Sequence, residues 1–235
     1  MLTVVAVLTL ASQSPPSTAN LVSSHATVQP GVPFTLAMRL RMKPGWHAYW
    51  ENPGDSGSPP EITWNLPKGW KVSELAFPVP HKIDMEGARM YGYEGEVLLL
   101  STVTPSRTAK AGSVANISAS AQWLVCEQTC LPGSADMKIS LPVGSSFAYD
   151  SQWIGPLRES RAALPKPVPG WSFDAVLGPD NTITLSVDAP VDRLPDGTYF
   201  YAMEGATLQH TWDQPINQAT LTLKRSEYSV SPPKR

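Results

Sequence analysis

The chain has 235 residues, 18 Lys+Arg against 20 Asp+Glu and a formal net charge of −2, with no long run of like charge. Neither nucleic acid nor an anionic membrane is therefore an expected partner. Only 16% of the residues are charged while 24 are proline, which argues against long helices; short Thr/Val/Leu-rich runs between Pro, Gly and Asn/Asp punctuation indicate an all-β protein.

Residues 1–11, MLTVVAVLTLA, are apolar and lead into polar SQSPPST. The run matches the apolar part of a secretory signal but lacks its basic start. Residues 1–14 are read as a signal-peptide remnant, with a first β-strand as the alternative. An export signal would place the chain where disulfides persist. No other segment is apolar for long enough to span a bilayer.

Residues 33–42, PFTLAMRLRM, alternate Phe34, Leu36, Met38, Leu40 and Met42 with Thr35, Ala37, Arg39 and Arg41, the period-two pattern of a half-buried strand. Further strands are expected at 20–28, 61–65, 71–76, 96–104, 114–125 and 136–143. In 114–125 the apolar set is Ala115, Ile117, Ala119, Ala121, Trp123 and Val125; in 136–143 it is Met137, Ile139, Leu141 and Val143. Such a series predicts an immunoglobulin-like sandwich over residues 15–145.

Between the first strands, GWHAYWENPGDSG (45–57) reads as a strand running into a turn at Asn52–Asp55. Trp46 and Trp50 are assigned to the core. KIDMEGARMYGYEG (82–95) reads as a flexible loop entering a strand or, equally, as a plain β-hairpin loop with its tyrosines packed in the core. The composition then shifts. Residues 146–170 hold one helix candidate, DSQWIGPLRESRAAL (150–164), with Asp150 or Ser151 as N-cap and Pro156 at its start. PKPVPG (165–170) is a stiff linker. Strand patterns resume at 171–177, 182–188, 198–203 and 219–225, predicting a second, smaller β-sandwich-like unit over 171–235.

Cys126 and Cys130 are the only two cysteines. Three spacer residues exclude the thioredoxin-type Cys-x-x-Cys motif. Zinc asks for about four ligands, and His25, His47, His81 and His210 form no local cluster with the pair. A disulfide, a redox dithiol and two inert thiols stay open. If the strand ending at Val125 turns back through Glu127–Thr129, the two cysteines face each other. Directly opposed Cβ atoms lie ~4.5–5.5 Å apart and a disulfide wants ~3.5–4.5 Å, so a bond can close with some strain. Helical i, i+4 spacing fits less well. The loop lacks the glycine usual in three-residue hairpins. A bond closing so short a loop removes little unfolded-state entropy; an accessible bond near a turn suits exchange better than stapling. No Lys or Arg lies within five residues of either cysteine, and Glu127 adjoins Cys126. Neither thiol has a local cation to stabilise a thiolate, so the pair suits an electron relay with modest driving force.

WLVCEQTCLP (123–132) followed by a strand, PGWHAYWENPGDSGSPPEITWNLPKGW (44–70) and YGYEGEVLLL (91–100) together resemble the N-terminal periplasmic domain of the DsbD/ScsB family of thiol:disulfide interchange proteins, on its ScsB-like branch. The resemblance covers residues ~20–145 well and 150–225 more loosely. It implies a thiol:disulfide oxidoreductase of the protein-disulfide reductase type, in the periplasm, with a redox-active disulfide and no other cofactor. Its partners would be a thioredoxin-like electron donor domain, a transmembrane electron carrier in the inner membrane as part of a longer protein, and periplasmic thiol-disulfide proteins as acceptors. The acceptors would be disulfide isomerases, cytochrome c maturation factors or proteins of copper tolerance. Cys126 and Cys130 would be catalytic. Cys130 would form the mixed disulfide with the partner. A cap loop would shield the pair through Met85, Met90 or Tyr91. From the residues themselves, Trp46, His47, Tyr49 and Trp50 would wall the redox site or a partner groove; His47, Tyr49 and Pro132 are assigned to the partner surface, where Pro132 donates no ladder bond and leaves the strand edge open. The three-residue spacer and the second β unit depart from the DsbD pattern. Two rival readings stand beside this one. In the first, Cys126, Cys130, a His and Met85 or Met90 serve as soft copper ligands. In the second, a structural sandwich carries a stabilising disulfide.

Overall fold

The computed structural model describes residues 14–191, 193–203 and 208–225; the proposed signal remnant, but for Ser14, and the end of the chain lie outside them. The first unit contains β1 (Ser17–Ser23), β2 (His25–Thr27), β3 (Phe34–Met42), β4 (His47–Gly54), β5 (Glu61–Asn65), β6 (Lys71–Val72), β7 (His81–Met85), β8 (Ala88–Glu94), β9 (Glu96–Thr104), β10 (Val114–Cys126), β11 (Cys130–Pro142) and β12 (Ala148–Tyr149). One sheet has the order β1-β3-β9-β6; the other has β11-β10-β4-β8-β7, with β5 also paired to β10. They pack as an immunoglobulin-like sandwich.

The alternating patterns place the core. Met38, Leu40 and Met42 of β3 meet Trp123 and Val125 of β10, Trp50 of β4 and Tyr93 of β8 between the layers. All six apolar positions of β10 are buried. Ala37 breaks the β3 pattern because its opposite face is also covered. There α1 (Ile154–Ala162) lays Leu157 against Val22, Ala37, Leu98 and Leu100. The helix starts later than expected, with Trp153 at the N-cap. The Asp150 carboxylate instead accepts the amides of Gln152 and Trp153, and Pro156 sits in the first turn, where it displaces no helical bond.

Of the two readings of 82–95, the hairpin forms: β7 and β8 pair from His81↔Gly92 to Met85↔Ala88, with Tyr91 and Tyr93 buried in the core. The 71–76 strand shrinks to Lys71–Val72 plus a bridge between Ala76 and Leu100.

The second unit is one sheet, β13 (Ser172–Leu177), β14 (Thr182–Asp188), β15 (Ile216–Asn217) and β16 (Thr220–Lys224), in the order β13-β14-β16-β15. Ile183, Leu185, Leu221 and Leu223 are covered by Leu194, Ala202 and Leu208 from irregular chain. The strand expected at 198–203 does not form. Phe200 finds its backbone partners in a side chain: its N–H donates to Gln214 Oε1 at 2.8 Å and its carbonyl accepts from Gln214 Nε2 at 2.9 Å. The neighbouring Tyr199 and Tyr201 pack on the first unit's core. Asn52 Nδ2 donates to Ala202 O at 2.6 Å, tying β4 to that segment. Among the described residues no helix is long and apolar enough to cross a membrane.

Candidate functional site

β10 and β11 pair residue for residue from Val114↔Pro142 to Cys126↔Cys130. The two cysteines close the register at the turn, 4.1 Å apart at Cα, and form a disulfide. Among the described residues, positive φ outside glycine occurs only at Asp180, Asn181 and Gln218. The Glu127–Thr129 turn therefore needs no left-handed residue, which accounts for its lack of glycine.

Strand alternation sends Val125 into the core and Cys126 to the outer face of the sheet. Cys126 is nevertheless only 2% exposed, because a second small cluster covers it: Tyr49 of β4, Met90 of β8, and the half-buried Ile83, Ala88 and Leu124. Cys130, Leu131 and Pro132 are exposed. The bond thus joins one buried and one exposed residue.

Tyr49 Oη donates to Cys126 Sγ at 2.8 Å and lies 3.7 Å from Cys130 Sγ. Burial pushes this phenol's pKa up, so at neutral pH it stays protonated and acts as a donor. The Tyr49 ring leaves no room above it. A Cβ at Gly57 would stand 2.3 Å from the ring, and Gly57 has φ +111°, a conformation open essentially to glycine alone.

Register also assembles a row across four strands: Glu94↔His47, His47↔Cys126 and Cys126↔Cys130. Directly opposed residues share a face of the sheet, so Glu94, His47, Cys126 and Cys130 stand side by side. His47 is 3% exposed, its ring meets Tyr49 edge-on at 5.3 Å, and its buried Nε2 hydrogen-bonds to no protein group. Burial pulls its pKa down, with Glu94 opposing.

Of the two places expected for His47 and Tyr49, the structure puts them at the redox site and not on a partner surface: β4 is an interior strand, and both side chains are buried behind the disulfide. Pro132, opposite Leu124, is exposed beside Cys130. Met90 and Tyr91 cannot both shield the cysteines, since adjacent strand residues project to opposite faces. Met90 packs with Cys126, whereas Tyr91 points the other way. Its hydroxyl meets Tyr199 Oη at 2.9 Å and His210 Nδ1 at 3.0 Å. Met85, at the hairpin end, is 38% exposed and outside the cluster around Cys126. Sequence reading passed over Ile83, Ala88 and Gly57 as cover; the only local signal was glycine at 57.

Among the described residues no three His, Cys, Asp or Glu side chains converge to hold a metal ion. The Glu94-to-Cys130 set is a row at inter-strand spacing, ~4.8 Å per step, and its two sulfurs are bonded to each other.

The fold is an immunoglobulin-like sandwich with a disulfide at a hairpin end that joins one buried and one exposed cysteine. Residues 17–142 match the family model described as "Thiol:disulfide interchange protein DsbD, N-terminal", and the chain belongs to that family. The fold is similar to the crystal structure of the N-terminal periplasmic domain of ScsB from Proteus mirabilis, at 16% identity and a TM-score of 0.59, over 88% of this chain and 76% of that one. No curated protein matches the sequence.

Proposed function

We propose that this domain accepts electrons through Cys126–Cys130 and passes them to disulfides of partner proteins, with Cys130 as the exchanging sulfur and Cys126 as the resolving one. The observation that carries this is the asymmetry of the bond: Cys126 is buried under Tyr49 and Met90 while Cys130 is exposed. Exchange is an attack by a thiolate along an open approach to one sulfur. A donor thiolate reaches only Cys130, and Cys126 leaves; a second thiol of the donor then attacks the donor sulfur of the mixed bond, so that the donor leaves oxidised and Cys130 leaves as a thiolate. In the second half, Cys130 attacks the partner's disulfide, and Cys126 then attacks Cys130 to release the reduced partner.

The setting that the family supplies is part of the same reading. The donor is a thioredoxin-like domain fed by a transmembrane carrier, the acceptors are periplasmic thiol-disulfide proteins, and the site is the periplasm. Met90 with Ile83 and Ala88 acts as the shield on the β7–β8 side; Pro132 and Leu131 border the approach to Cys130.

The test is trapping. In a periplasmic extract, Cys126→Ser accumulates a mixed disulfide through Cys130, and Cys130→Ser accumulates little. The reverse pattern overturns the assignment, and no trapping by either variant overturns exchange with proteins in that extract.

A further inference from the structure

Resting on the exchange reading above, we propose that His47 handles the proton of the reaction: it takes the proton of the Cys126 thiol as that sulfur attacks the mixed disulfide, and returns one to Cys126 when the bond is reduced. Three observations carry this. His47 is the direct cross-strand neighbour of Cys126 on the same face of the sheet. Its Nε2 is buried and hydrogen-bonds to no protein group, an arrangement that is costly for a polar atom. The third is that Cys126 has no S–H while the disulfide stands. Reduction creates an S–H on the facing residue of the next strand, a donor that the unpaired nitrogen of the oxidised protein lacks.

The chemistry needs such a group. Only a thiolate attacks, and the cluster of Met90, Ile83, Ala88 and Leu124 around Cys126 disfavours a charge there. Tyr49, the other polar group on this sulfur, stays protonated and donates; it stabilises a thiolate but does not accept its proton. A neutral imidazole accepts one in the physiological range. The groups facing His47 are Glu94 from β8, Cys126 from β10 and Tyr49 from its own strand, with Cys130 one strand further on. The Glu127 carboxylate lies against Gly45, two residues before it. Glu94 favours the imidazolium once it forms.

The step balances. Cys126–SH and the mixed disulfide Cys130–S–S–partner become the Cys126–Cys130 disulfide and the partner thiol. Cys126 is oxidised, the partner sulfur is reduced, and the proton passes through His47 to the leaving sulfur. In the other half, a donor thiolate attacks Cys130, Cys126 departs with the electron pair and His47 protonates it; the donor's second thiol then attacks the donor sulfur of the mixed bond, which oxidises the donor and frees Cys130.

The test uses the reduced domain and dithiobis-nitrobenzoate in a stopped-flow instrument. Attack by Cys130 releases one thionitrobenzoate in a phase that depends on reagent concentration. Attack by Cys126 on the resulting mixed bond releases the second in a phase that does not. His47→Gln slows the second phase at least about tenfold near neutral pH, a modest share of the ~100- to 10,000-fold that proton transfer usually contributes, and removes its pH inflection, while the first phase stays within about twofold. Glu94→Gln moves the inflection to lower pH without abolishing it. An unchanged second phase with its inflection intact in His47→Gln overturns the role of His47. An absent first phase in the unmodified domain overturns the exchange reading itself. Should His47→Gln fold poorly, the unmodified protein answers: NMR titration gives His47 a different pKa in the oxidised and reduced states, and identical titrations overturn the proposal.

Discussion

The hydroxyl of Tyr49 sits 2.8 Å from the sulfur of Cys126, 77 residues away in the chain. One strand, β4, thereby supplies both the donor that can stabilise a Cys126 thiolate and, through His47, the imidazole beside it. The disulfide is a local event in sequence, but its electrostatic setting is imported from the neighbouring strand.

Tyr49→Phe keeps the ring that covers Cys126 and removes only the O–H. Loss of one such bond costs about 1 kcal/mol of stability. The larger consequence falls on the dithiol. Without the donor the Cys126 thiolate is less stable, and the domain becomes harder to reduce. Equilibration with a glutathione buffer should show a more negative reduction potential than in the unmodified protein. Tyr49→Ala also opens a cavity and should lose about 3–5 kcal/mol, as large aromatic truncations do.

Gly57→Ala places a methyl group where the Tyr49 ring already is, at a backbone φ of +111°. Strain and overpacking each cost about 1–3 kcal/mol. Urea denaturation should show a loss of at least about 1 kcal/mol, and reduced Cys126 should become more accessible to iodoacetamide as the cover lifts.

In the reduced domain, iodoacetamide should modify Cys130 at least about tenfold faster than Cys126, because reactivity follows thiolate character and exposure. Peptide mass spectrometry over a time course reads the ratio. Equal rates would mean that the Tyr49–Met90 cover opens on reduction.

Asn52 and Tyr91 tie the redox unit to the second β unit, through Ala202 O and through Tyr199 and His210. Asn52→Ala leaves the Ala202 carbonyl and the Gly54 amide without that side chain, and Tyr91→Phe leaves His210 Nδ1 without its partner. Each should cost about 1–3 kcal/mol in thermal or urea unfolding. Exchange rates at Cys130 should hold, since neither side chain belongs to the cluster around the disulfide.

His25, His47 and His210 all have pKa values pulled below 6.5 by burial. A histidine that binds protons more weakly when folded than when unfolded makes the unfolded chain the better proton acceptor. Stability from these groups is present in full above 6.5, their unfolded value, and is lost as pH falls from there toward their folded values. The melting temperature at about pH 5.5 should therefore lie below that at about pH 7.5. His210→Gln should flatten the slope even though it lowers the midpoint. Glu51, whose carboxyl burial pushes up, contributes the opposite slope in its own range, and an Glu51→Gln background removes it.

The architecture was legible where one face of a strand meets the core. Alternation alone assigned the buried sets of β3, β10 and β11, because a period of two leaves no other face for them. The opposition of Cys126 and Cys130 also followed from local geometry, since a three-residue turn after Val125 leaves them facing. Tertiary structure decided the rest, for stated physical reasons. Sequence left His47 and Tyr49 between a wall of the redox site and a partner groove; only the insertion of β4 between β10 and β8 buried them beside the sulfur. Met90 and Tyr91 are neighbours in sequence, yet the pleat sent one to the disulfide and the other to the second unit. Residues 198–203 carry a strand's composition, but Gln214 took the backbone bonds that a strand would have used. Sequence spacing determines which side chains can share a face; which of those faces is covered, and by what, depends on partners tens of residues away.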